Sequence, residues 1–76
     1  MKRILTVATA DGWEHEYTII SETEEIIETN SVTLFDEYPL RFNKREERME
    51  YFNGAEWDVY FSDEFIQQVD ITEEGN

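Results

Sequence analysis

The chain has 76 residues, 19 acidic against 6 basic side chains, a formal charge of −13 and no cysteine. That length holds one small domain and excludes a two-domain enzyme with a deep cofactor cleft, since so short a chain buries only about 60% of its unfolded surface. The lack of cysteine excludes disulfides, thiolate nucleophiles and Cys-type zinc sites, and the charge repels nucleic acid and anionic lipid, whose binding relies on Lys and Arg.

With 39% hydrophobic and 14% aromatic residues the composition is that of a folding chain, despite its charge. The apolar stretch after Met1-Lys2-Arg3 runs only from Ile4 to Ala8 and is interrupted by Thr6, too short for a signal-peptide core. Nothing approaches the roughly 20 apolar residues of a membrane span. A cytoplasmic location is the expectation.

In chain order, Arg3 to Thr9 is rich in β-branched residues, Asp11-Gly12 is a turn signal, and Glu14 to Ile20 alternates, which reads as a β-hairpin. Loop length can be judged by which register puts the apolar residues on one face. A two-residue loop sets Val7 opposite Glu16. A three-residue loop, Asp11-Gly12-Trp13, pairs Val7 with Tyr17 and Leu5 with Ile19, with Gly12 left-handed in a bulge, and is preferred.

Ser21-Glu22-Thr23-Glu24 fits a capping box and predicts a short helical turn through Glu28. Val32 to Phe35 reads as a strand, Asp36 to Pro39 as a turn, and Leu40 to Phe42 as a strand. Asn43 to Phe52 could be a helix capped by Asn43, but its second half gives a consistent strand face and is read as a hairpin arm. That second hairpin joins Arg48–Phe52 to Glu56–Phe61 through Asn53-Gly54-Ala55, with Met49 facing Val59 and Tyr51 facing Trp57. Its other face then carries Arg48, Glu50, Phe52, Glu56, Asp58 and Tyr60.

Ser62 to Phe65 resembles a single capped turn, and Gln67 to Ile71 a closing strand with Val69 and Ile71 inward. The fold class is therefore mainly β with one or two helical turns: a small, strongly bent antiparallel sheet or SH3-like barrel of five or six strands. Residues 1–72 form the domain and 73–76 a frayed acidic tail. The expected core is Leu5, Val7, Tyr17, Ile19, Val32, Leu34, Leu40, Phe42, Met49, Tyr51, Trp57, Val59, Phe65, Val69 and Ile71.

No motif carries a reaction. His15 is the sole histidine, its neighbours Glu14 and Glu16 point to the opposite face of a strand, and it reads as an ordinary packing or surface residue. Ser21, Ser31 and Ser62 read as turn or cap residues. There is no phosphate loop, dinucleotide fingerprint or calcium loop, and among 19 acids some carboxylate pair is inevitable. A non-enzymatic protein without cofactor or metal is the expectation.

The acidic residues are the anomaly. Alternate strand residues lie about 6.6 Å apart, so Glu14 with Glu16, and Glu56 with Asp58, present charges at a spacing close to that of successive phosphates. In the chosen register Glu50 lies across from Asp58, a like-charge neighbour that costs stability. Such a surface can fill a basic groove built for DNA or RNA.

Charge and size are those of the phage-encoded nucleic-acid mimics, among them inhibitors of CRISPR effectors, restriction enzymes and repair glycosylases, although no motif selects one family. The expectation is a small acidic phage or mobile-element inhibitor. It binds a basic nucleic-acid-handling protein through Glu14, Glu16, Glu50, Phe52, Glu56, Asp58 and Tyr60, with Asp63 and Glu64 as rim charges. The alternative is an interaction or assembly module, an accessory subunit that docks by its aromatics and whose charge only confers solubility.

Overall fold

The computed structural model describes residues 2–74. These form seven strands and no helix: β1 (Lys2–Thr9), β2 (Glu14–Glu22), β3 (Ile26–Val32), β4 (Pro39–Asn43), β5 (Arg48–Phe52), β6 (Trp57–Phe61) and β7 (Ile66–Glu74). They make one antiparallel sheet in the order β6-β5-β4-β3-β2-β1-β7. This is the mainly-β, strongly bent small sheet anticipated, with seven strands in place of five or six.

Strand direction explains the bend. β1 to β6 form a meander and β7 runs antiparallel to β1, so β6 and β7 point the same way. Side-by-side parallel strands need a crossover of about a dozen residues or more, whereas only Ser62–Phe65 separate these two. β7 therefore continues around a corner from β6, and the sheet rolls over its core without lateral closure. The corner is the capped turn read from sequence: the Ser62 carbonyl accepts from the Phe65 and Ile66 amides, both at 3.1 Å.

The inner face buries Leu5, Val7, Tyr17, Ile27, Leu40, Phe42 and Met49, flanked by partly buried Ile19, Tyr51, Phe61, Ile66 and Val69. Fully burying one such side chain contributes roughly 1.5–3 kcal/mol. Six expected core residues lie outside this cluster: Val32, Leu34, Val59 and Ile71 are exposed, Leu34 at 82%, while Trp57 and Phe65 are half-buried. Leu34 and Phe35 belong to the β3–β4 loop, because β3 ends at Val32.

Both hairpin registers differ from expectation. In the first, Leu5 pairs with Tyr17 and Val7 with His15, because the loop is Ala10-Asp11-Gly12. Gly12 (φ 89) takes the left-handed position at the loop's last residue, and its amide donates to the Thr9 carbonyl at 3.0 Å. The shift is two residues, so Leu5, Val7 and Tyr17 keep their face.

The second hairpin slips by one. Tyr51 pairs with Asp58 and Phe52 with Trp57, after which a bulge sets Met49 opposite Phe61. Asn53 Oδ1 accepts from the Ala55 and Glu56 amides, both at 2.9 Å, fixing this turn around Gly54 (φ 99). One residue of slip exchanges faces, so Val59 turns outward and Phe61 takes the core place assigned to it.

The predicted helical turn at 21–28 is absent. Thr23 Oγ1 does accept from the Glu25 and Ile26 amides (3.3 and 3.1 Å), as a helix cap would. The chain then enters β3, where Ile26 and Ile27 favour a pleated surface and Ile27 is buried in the core. Arg48–Phe52 is strand, as preferred. Glu73 and Glu74, expected to fray, pair in β7 with Arg3 and Lys2, where opposite charges face each other across the ladder; residues 75 and 76 lie outside the described residues.

Candidate functional site

The outer face of the sheet divides into two halves of different electrostatic character. On β2-β1-β7, Glu14 lies opposite Ala8, which faces Gln68, and Glu16 lies opposite Thr6, which faces Asp70. Glu14 and Glu16 are thus about 6.6 Å apart along β2, with Asp70 roughly 10 Å away across the neutral middle strand. All three carboxylates are exposed. The Ser62–Phe65 corner is tied to this end of the sheet, with the Ala10 amide donating to the Phe65 carbonyl at 2.8 Å. It brings the exposed Asp63 and Glu64 toward the hairpin that ends at Glu14.

The other half of the outer face holds the paired cations Arg41 and Arg48. Glu50 is 1% exposed, which removes it from the surface to which sequence assigned it. It accepts from Arg41 Nε at 2.7 Å, Arg48 Nε at 2.8 Å and Asn43 Nδ2 at 3.2 Å. Burial pushes its carboxyl up, but these donors outweigh burial and hold it below the ordinary carboxylate value. The Arg41 guanidinium lies 3.9 Å from the Trp57 ring centroid, and Phe52 packs against Trp57 at 5.3 Å. Phe52 is therefore half-buried beside Trp57.

A second cluster sits at Glu22, which is held below its usual range by hydrogen bonds from Lys44 and then Arg3, the latter at 2.6 Å. Among the described residues these are the only two paired acids: Glu22 and Glu50 absorb Arg3, Arg41, Lys44 and Arg48. Seventeen of the 19 carboxylates are left without an ion pair there, and Lys2 and Arg45 are the remaining cations.

Asp58 and Tyr60 do not share a face with Phe52 as expected, and Glu56 lies in the exposed turn before β6. The one-residue slip places Asp58 across from Tyr51, on the inner side of the sheet and near its rim. There Tyr60 meets Tyr51 edge-on (6.2 Å, 73°) and Tyr38 stacks beside Tyr51 (5.9 Å, 17°). Together with Thr33 and Asp36 they line an open cleft of about 310 Å³. Sequence reading missed Tyr38, Tyr51 and Asp36 as surface groups because the β3–β4 loop meets β6 only through the rolled sheet.

His15 packs its ring 4.8 Å from Phe61, and its Nε2 lies 3.2 Å from Thr9 Oγ1. No group of three or more His, Asp or Glu residues among the described residues is placed to hold a metal ion. No described helix is long and apolar enough to cross a membrane. Compared with protein-family models, with curated proteins and with solved structures, the chain matches none.

Proposed function

We propose that the protein is a non-enzymatic acidic inhibitor, encoded by a phage or mobile element and acting in the host cytoplasm. It occupies the basic nucleic-acid site of a DNA- or RNA-handling protein. The observation that carries this reading is the segregation of charge: the cations are drawn into the Glu22 and Glu50 clusters, leaving Glu14, Glu16 and Asp70 on a face whose neighbours are neutral. A basic groove already poised to take up phosphates accepts such a face with the same release of counterions. The contact set is Glu14, Glu16 and Asp70, with Asp63 and Glu64 at its end. Glu50 is withdrawn from it, and Tyr60 contributes at the tyrosine cleft, with Asp58 across the ladder from Tyr51.

The test is capture on tagged protein from nuclease-treated bacterial lysate, eluted by a salt step. A basic nucleic-acid-processing protein released at moderate salt, and displaced by added duplex DNA, is the expected result. Retention of no such protein counts against the reading. The exposed Leu34 and Phe35 favour a second reading, an assembly module docking by apolar contact, whose binding would survive about 1 M salt, where the Debye length is near 3 Å.

A further inference from the structure

The tyrosine cleft lies on the opposite side of the sheet from the Glu14–Glu16–Asp70 face and has a different chemistry. Its walls are the rings of Tyr38, Tyr51 and Tyr60, with Tyr51 and Tyr60 meeting at 73° to form a corner. Asp36 is part of the lining, and Asp58 lies directly across the ladder from Tyr51, two residues before Tyr60. No cation is paired with either carboxylate among the described residues.

The loop that completes the cleft is held in shape. The Thr33 amide donates to the Tyr38 carbonyl at 2.9 Å, the Tyr38 amide donates to Thr33 Oγ1 at 3.0 Å, and Glu37 takes the left-handed conformation (φ 54) between them. The same loop exposes Leu34 and Phe35 at the rim.

The geometry points to a receptor for an arginine side chain of a basic protein partner. An aromatic corner with a carboxylate at its edge fits a planar guanidinium. One ring face takes the cation, a second ring packs against its edge, and the N–H fork reaches the acid. A lysine ammonium, compact and strongly hydrated, gains less from the flat faces. The protein's own Arg41, stacked on Trp57 while its Nε bonds Glu50, shows the ring-face and carboxylate parts of this arrangement elsewhere in the fold. The partner's basic character rests on the function proposed above, but the cleft is tested without any partner.

The probe is N-acetyl-arginine amide, titrated into the whole protein and followed by amide and tyrosine-ring NMR shifts. N-acetyl-citrulline amide serves as the neutral isostere, and N-acetyl-lysine amide and tetramethylammonium as alternative cations. The expected result is millimolar binding of the arginine probe, with shifts concentrated at Thr33, Asp36, Tyr38, Tyr51 and Tyr60, no saturable binding of citrulline, and weaker binding of lysine and tetramethylammonium. Tyr60→Ala and Asp36→Asn, both at exposed positions, should each weaken it about threefold.

Shifts scattered over the acidic surface, equal binding of the citrulline probe, or a preference for lysine or tetramethylammonium would overturn the assignment. If the cleft fails while duplex DNA still displaces a captured partner, the mimicry reading stands without it; the converse result separates them equally well.

Discussion

Glu50 shows how one residue can organise half a surface. A carboxylate at 1% exposure is tolerated because two guanidinium groups and one amide meet it within 3.2 Å. Removing its charge leaves Arg41 and Arg48 facing a neutral group in a partly desolvated site, so Glu50→Gln should cost about 3 kcal/mol. Chemical denaturation of the two proteins checks this. Because the folded carboxyl lies below its ordinary value of 4.5, its contribution is complete above that pH and is lost as pH falls through the folded-state value. The wild-type advantage over Glu50→Gln should therefore be constant from neutral pH to about 5 and shrink at lower pH. An advantage that instead grew on acidification would contradict the sign.

Glu50 also marks a limit of reading from sequence. Strand alternation correctly placed it opposite Met49's face, but nothing local in Arg48-Met49-Glu50 says that Arg41, nine residues back, will cover it.

At the scale of elements, the turns explain both what could be read and what could not. Asp11-Gly12 and Asn53-Gly54 announced two hairpins because a left-handed residue is needed there, and both glycines have positive φ. A Cβ at Gly12 would meet nothing within 4 Å, so Gly12→Ala isolates the backbone term. It should lower stability by about 1 kcal/mol and the melting temperature by roughly 5 °C. An unchanged melt would mean that the loop relaxes to another turn.

The faces of β1 and β2 were legible because the register error was an even number of residues. Those of β6 were not, because the error was odd and the bulge at Tyr60-Phe61 has no signature in the alternation. The helical turn expected after Ser21 failed for a different reason: a Thr that caps a helix and a Thr that closes a β-turn make the same local hydrogen bonds. Which follows was decided by burial of Ile27. The tyrosine cleft was beyond sequence altogether, since it joins the β3–β4 loop to the bulged strand β6.

For the whole molecule, the charge of −13 acts through its placement. With the cations concentrated at Glu22 and Glu50, the other carboxylates repel one another at the surface. Raising sodium chloride from about 0.05 to 0.5 M should therefore raise the melting temperature by several degrees, through screening of that repulsion. A fall would mean that the ion-pair clusters dominate the salt response. Sequence made the excess of acid plain; the sheet decides where it is unopposed, and Asp70 joins Glu14 and Glu16 only because β7 returns to pair with β1.

In the proposed function this face, and not net charge alone, engages a basic partner. This role is tested by comparing lysate capture on two triple variants of equal charge change. One is Glu14→Lys, Glu16→Lys and Asp70→Lys; the other is Glu24→Lys, Glu25→Lys and Glu46→Lys, at exposed turn positions away from that face. The expected result is that the first loses the partner that duplex DNA displaces while the second keeps it. Equal loss in both, or equal retention, would contradict it.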